Sequence, residues 1–238
     1  MASYPIHVEV ILCKHLYNCK LEESKVKEKI LSLLSRKPLF KNEIIYPSSE
    51  DSLFRVVDRI QIYVDATLLC DTNTNSVVES EPISESVCQG VVSYWKADIN
   101  LHIYQLLEGV CEKDFLDNDD GDTGGEIQAL EQWNLPDEQI DPLWDSIIVN
   151  EVTIKQRLLH YCTSSMYFAH KQVDTSIISW NRMILLYGPP GTGKTTLCKA
   201  LAQKVYIRNL DVYANGGGML LEINSHSLFS KYFSESGV

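Results

Sequence analysis

Gly188, Gly193, Lys194 and Thr195 are the residues here whose types and spacing can do recognisable chemistry. Within the stretch GPPGTGKTT they satisfy G-x-x-x-x-G-K-[ST] without a mismatch. Glycines at these places permit a tight backbone path whose amides point inward at phosphate oxygens. A helix starting at Lys194 adds the positive end of its dipole. Lys194 is expected to reach the β- and γ-phosphates, and the Thr195 hydroxyl is expected to meet Mg²⁺. Pro189 and Pro190 stiffen the approach to the loop. The expected phosphate site is therefore Gly188, Pro189, Pro190, Gly191, Thr192, Gly193, Lys194, Thr195 and Thr196, with ATP and Mg²⁺ as ligands.

Such a loop needs a strand before it and a helix after it. Met183 to Tyr187 form a continuous apolar run, the pattern of a strand buried on both faces of a parallel sheet. TTLCKALAQK then continues as a helix with Leu197, Leu201 and Ala202 on one face. Further on, Gly216 to Gly218 read as a turn and Met219 to Ile223 as a strand. Asn224 or Ser225 could cap a short helix carrying Leu228 and Phe229. Two adjacent aromatics, Tyr232 and Phe233, stand in polar surroundings, either as core residues of a following helix or as an exposed grip.

The remaining chain divides by composition. IHVEVIL alternates and reads as a strand. Residues 21–37 place Val26, Ile30, Leu33 and Leu34 on one helical face, and Pro38 ends the helix. Residues 53–66 look like one or two strands, and 92–106 end in the alternating run Ile99, Leu101, Ile103. These elements define a small α+β domain over residues 1–107. Residues 108–130 are expected to be an acidic linker. Asp117, Asp119 and Gly121 only partly meet a calcium-loop frame: the glycine falls one place early and no Glu closes the loop. Residues 131–238 hold the phosphate loop, preceded by a helix start at Asp141-Pro142 and a long amphipathic helix carrying Val152, Leu158, Leu159, Cys162 and Met166. The fold class is α/β: a small α+β domain, then a P-loop domain built as a parallel sheet with flanking helices.

Bulk properties narrow the partners. The chain has 238 residues and a net charge of −11, which disfavours nucleic-acid binding through a general positive field. No window is long and apolar enough for a membrane span, and no signal peptide is visible. Seven scattered cysteines without a C-x-x-C read as reduced thiols rather than metal ligands.

WNRMILLYGPPGTGKTTLCKALAQK together with EINSHSLFSKYFSESG resembles the pachytene checkpoint protein 2 homologues, also called thyroid receptor-interacting proteins, within the AAA+ ATPases. LHIYQL, WNLP, LWDSI and SWNR follow the same family pattern. The resemblance implies a homo-hexameric, ATP-driven remodeller of HORMA-domain proteins that works with a HORMA-like adaptor. It implies roles in the spindle checkpoint and in meiotic synapsis and recombination, in the nucleus (chromosomes and kinetochores) and the cytoplasm. Residues 1–107 would engage substrate and adaptor. Tyr232 and Phe233 would lie in the first pore loop, where family members carry Trp-Phe; Ser234 follows them, as in this family.

The resemblance also implies that Walker B, the sensors, the arginine finger and the helical lid would follow Val238. The chain is therefore expected to end just after the first pore loop, with no complete catalytic set. It would also hold two strands of the AAA+ sheet that are not neighbours, which would expose the strand before the loop. The enzyme reading, the N-terminal part of a HORMA-remodelling ATPase, stands beside a second: a non-hydrolysing, partner-binding form that competes with the complete protein. A different P-loop enzyme, such as a small nucleotide kinase, is disfavoured by the acidic, Arg-poor segment after the loop.

Overall fold

The structure is a computed structural model and describes residues 3–14, 23–48, 53, 55–64, 91–109, 111–116, 127–148, 152–174, 176, 181–213 and 217–223. The expected strand at the N-terminus is β1 (Tyr4–Leu12) and the expected helix is α1 (Glu23–Ser35). Then come β2 (Leu39–Phe40), β3 (Glu43–Ile45), β4 (Val57–Val64), β5 (Val92–Ser93), a 3-10 turn (Tyr94–Lys96) and β6 (Ala97–Gln105).

A four-stranded sheet has the order β3-β4-β1-β6. β1 runs antiparallel to β4 and parallel to β6. Strand side chains alternate between faces, so one face carries Ile6, Val8 and Val10 from β1 with Ile60, Ile62 and Val64 from β4. Val26, Ile30 and Leu34 of α1 close over it with Phe40, Leu53 and Val92, forming the main hydrophobic core. The apolar spacing of α1 puts these three residues on one stripe, and its charged residues stay outside.

The opposite face is polar at its centre and still buried. Glu9 lies opposite Gln61 on β4 and His102 on β6, and Ile11 lies opposite Tyr104. Glu9, Gln61, His102 and Tyr104 are all buried. Their cover is the helix that follows the phosphate loop.

The acidic stretch departs from its expected linker character at both ends. β7 (Glu112–Leu116) and β8 (Ile127–Leu135) pair antiparallel, and β9 (Gly218–Ile223) adds to β8. Backbone pairing to β9 stabilises β8 whatever its composition, and composition alone does not reveal such a partner. The calcium-like frame at 117–121 lies outside the described residues. The expected strand Met219–Ile223 is present as β9.

Two helices lead to the loop. α2 (Leu143–Ser146) follows Pro142, and α3 (Val152–His170) is the expected amphipathic helix. The helix behind the loop is α4 (Lys194–Arg208). Trp144, Ala200 and Leu201 form the core where α2, α3 and α4 meet, with Leu158, Leu159, Cys162 and Val205 against it.

Residues 183–187 correct the sequence reading. They form no strand, and no described strand pairs with them. Met183, Leu185 and Tyr187 are 81%, 85% and 90% exposed. Ile184, 39% exposed, and the half-buried Leu186 line an open apolar groove of about 470 Å³ beside α3 and α4. The alternation has the period of a strand, but a strand needs ladder partners for its backbone groups, and the described residues offer none here. The parallel pairing lies instead between β1 and β6.

Candidate functional site

The segment before the loop is held by α3. Tyr161 Oη and Ser165 Oγ both donate to the Asn181 carbonyl, at 2.9 and 3.0 Å. Asn181 Oδ1 in turn accepts from the Met183 amide at 3.0 Å. These bonds fix where the chain sets out toward Gly188.

The loop has the backbone its glycines allow. Gly191 and Gly193 sit at φ of 80° and 79°, the left-handed region that side chains avoid. Gly193 is also the residue before α4, and its carbonyl accepts the Leu197 amide at 2.8 Å, the first turn of the helix. No neighbouring atom would lie within 4 Å of a Cβ at Gly191 or Gly193, so the space beside the loop there is open.

Lys194 folds back over this loop. Its ammonium donates to the carbonyls of Gly188 at 3.0 Å and Pro189 at 2.6 Å, and lies 3.3 Å from Thr192 Oγ1. Thr192 Oγ1 donates to the Pro189 carbonyl at 2.9 Å. A compact cation thus sits at the mouth of the loop, satisfied by neutral oxygens that a phosphate would outcompete. Thr195 is exposed on the first turn of α4, free to meet a metal bound with the phosphates. The residues fit a magnesium nucleotide: an open glycine loop, a helix start and a lysine over both. Asn224 and Ser225, together with the aromatic pair Tyr232 and Phe233, lie outside the described residues.

Sequence reasoning missed how α4 is anchored. Lys199 pairs with Glu222 at 2.7 Å and lies 4.8 Å over the Trp133 ring, tying the helix to β8 and β9. Gln203 Oε1 accepts the Asp137 amide at 2.9 Å. Lys204, 3% exposed, donates to Glu9 Oε2 at 2.6 Å and Tyr63 Oη at 3.1 Å. Arg208 Nε stands 3.6 Å from Glu9 Oε1, and Ile207 packs with Ile11, Tyr104 and Leu106. Lys204 and Arg208 are four apart, so they share one helical face. The signal was a lone Glu in an alternating strand and a Lys/Arg pair at helical spacing.

Burial and charge set the protonation of this cluster. Burial works against the Lys204 ammonium, yet the Glu9 carboxylate and Tyr63 hold its pKa above the ordinary lysine value. Burial pushes the Glu9 carboxyl up, opposed by Lys204. We take the pair as charged at neutral pH, because two cations face one carboxylate. Burial, helped by the Lys204 charge, lowers His102 to about 4, so it is neutral beside His7, whose Nδ1 lies 3.1 Å from His102 Nε2.

A glycine loop closed by a lysine at a helix start defines a P-loop nucleotide-binding protein. The family model for "ATPase family associated with various cellular activities (AAA)" matches residues 184–237, the loop and all that follows it. The pachytene checkpoint protein 2 homolog of Canis lupus familiaris is 39% identical over 98% of this chain and 48% of its own length. The homolog of Arabidopsis thaliana is 47% identical over 62% of this chain and 30% of its own. The solved structure of C. elegans PCH-2 superposes with a TM-score of 0.61 at 28% identity, covering 96% of this chain and 52% of that one. Over nearly its whole length the chain is similar to the pachytene checkpoint protein 2 homologues, and from residue 184 on it matches the AAA ATPases. It spans about half the length of the curated animal relatives it matches.

Proposed function

We propose that this chain supplies the nucleotide-binding and substrate-facing parts of an AAA+ ATPase that remodels HORMA-domain proteins. The observation that carries the reading is the Lys194 ammonium poised over a left-handed glycine loop at the start of α4. Magnesium supplies charge neutralisation for the phosphates when the nucleotide is bound. The loop amides and Lys194 hold the β- and γ-phosphates, and Thr195 orients the metal. Gly188 to Thr196 form the site.

Residues 1–107 form the substrate- and adaptor-binding domain, and residues 131–238 belong to the ATPase domain, with 108–130 connecting them. Tyr232 and Phe233 grip substrate in the first pore loop, assigned from the family motif. The working assembly is a homo-hexamer that acts with a HORMA-like adaptor. Its setting is the spindle checkpoint and meiotic synapsis and recombination, in nucleus and cytoplasm. The name of the relatives, pachytene checkpoint protein 2 homolog, supports the meiotic part of this reading.

The test is a pull-down of a HORMA-domain protein and its adaptor by the purified chain, with and without Mg-ATP, beside ATP turnover by a form extended to the relatives' full length. Binding that needs residues 1–107, with turnover in the extended form abolished by Lys194→Ala, supports the proposal. No HORMA binding in any nucleotide state would overturn the substrate assignment, and turnover untouched by Lys194→Ala would overturn the site.

A further inference from the structure

Glu9 is a carboxylate with no exposure at the centre of β1, far in sequence from the phosphate loop. An uncompensated charge there is costly, so the sheet accepts α4 only where cations meet Glu9. Lys204 Nζ reaches Oε2 at 2.6 Å, Arg208 Nε approaches Oε1 at 3.6 Å, and Tyr104 Oη lies 3.4 Å from Oε2. Tyr63 completes the seat, with its hydroxyl 3.1 Å from Lys204 Nζ and its ring 4.4 Å beneath it. The hydrogen bonds of Lys204 to Glu9 and Tyr63 are directional and fix the position of the helix along its axis, which apolar packing alone leaves adjustable; Arg208 adds charge at ion-pair distance.

α4 carries the loop at its other end. Lys194 and Lys204 are separated by about 15 Å of continuous helix, with a backbone that transmits an axial shift without loss. Lys194 must place its ammonium against Gly188 and Pro189 from the first turn of that same helix. A shift of α4 against β1 therefore moves Lys194 and Thr195 against the loop.

We propose that Glu9 is a positioning residue for the nucleotide site: by holding Lys204 and Arg208 it sets the axial position of α4 and hence of Lys194 and Thr195. The proposal rests on the reading that the loop binds nucleotide. By linkage the effect is reciprocal, and nucleotide on the loop tightens the seat of α4 on the N-terminal sheet. The N-terminal domain and the phosphate site thus report to each other through one buried carboxylate.

The test combines titration of a fluorescent ATP analogue with Mg²⁺ and hydrogen exchange of the segment 6–11, with and without nucleotide. It compares the full chain, Lys194→Ala and the double variant Glu9→Gln/Lys204→Met, which removes the buried carboxylate together with its nearest cation and leaves Arg208 as the one charge of the cluster. In the full chain nucleotide slows exchange both at the loop and at 6–11. The double variant is expected to bind about fivefold more weakly or worse, and to lose the nucleotide-dependent protection at 6–11 while keeping it at the loop. Affinity within about twofold of the full chain, with protection at 6–11 intact, overturns the positioning role. Tyr63→Phe removes only the hydroxyl that accepts from Lys204 and gives the same direction at about fourfold. It decides the matter if the double variant does not fold, and no change in it overturns the proposal. A full chain that binds no nucleotide, like Lys194→Ala, overturns the phosphate-site reading itself, and the positioning role falls with it.

Discussion

Lys204→Met tests the buried cluster most severely. The substitution keeps the apolar stem and deletes the ammonium that donates to Glu9 at 2.6 Å and to Tyr63 at 3.1 Å. Glu9, wholly buried, then keeps only the longer contacts to Arg208 at 3.6 Å and Tyr104 at 3.4 Å. Removing one partner of a buried ion pair costs about 3–5 kcal/mol. Arg208 still offsets part of the charge, which places this case near about 3 kcal/mol. Urea unfolding at pH 7.5, followed by circular dichroism, should show the midpoint falling by about 1 M for a slope of 2–3 kcal/mol/M. Adding Glu9→Gln should recover part of the loss, because the bare carboxylate is gone, while Arg208 in turn loses its acidic partner. The pH dependence has a definite sign. Burial raises the folded pKa of Glu9 above its ordinary value, so the folded state takes up the proton more readily than the unfolded chain. The penalty in Lys204→Met is therefore largest above the folded pKa and shrinks on acidification. A midpoint unchanged at pH 7.5, or a double variant no more stable than the single, would refute the reasoning.

Other consequences follow from the same geometry. His102, lowered to about 4 by burial and Lys204, binds its proton in the unfolded chain first, so stability drops as pH falls from 6.5 toward 4. The shift corresponds to about 3 kcal/mol at most, and His102→Gln should flatten that part of the urea-midpoint profile. Phe40→Ala, at a fully buried core position, should cost about 3–5 kcal/mol in thermal or urea unfolding. Gly193→Val forces a β-branched residue to φ near 79°, which costs about 1–2 kcal/mol. It should weaken nucleotide binding in a titration while leaving exchange at β1 and β4 unchanged in the absence of nucleotide.

The N-terminal sheet was legible because its strands alternate and one face is purely apolar. Ile6, Val8 and Val10 announced β1, and Val26, Ile30 and Leu34 announced the helix that covers it. The phosphate loop was legible because its chemistry demands fixed residue types at fixed spacing. What stayed hidden depends on long-range partners. Glu9 and His102 read as the wet side of their strands, since nothing local says that α4 lies over them. Nothing local to α4 says that Lys204 and Arg208 meet a buried carboxylate of β1. Of the face expected from Leu197, Leu201 and Ala202, Leu201 packs in the core shared with α2 and α3, Leu197 is buried, and Ala202 lines the groove beside α3. β7 was masked by the acidic run around it and β8 by its distant partner β9, and residues 183–187 read as a buried strand because hydrophobicity records what a segment is suited to, not whether its ladder partners are at hand.

The central claim is that Lys194 and its loop hold a magnesium nucleotide. Isothermal titration of a non-hydrolysable ATP analogue into the full chain, with Mg²⁺ and then with chelator, tests it most directly, with Lys194→Ala alongside. Saturable binding of one nucleotide per chain is predicted, weakened by chelation and at least about tenfold weaker in Lys194→Ala, or 1.4 kcal/mol. No heat of binding in the full chain, or equal affinity in Lys194→Ala, would contradict it.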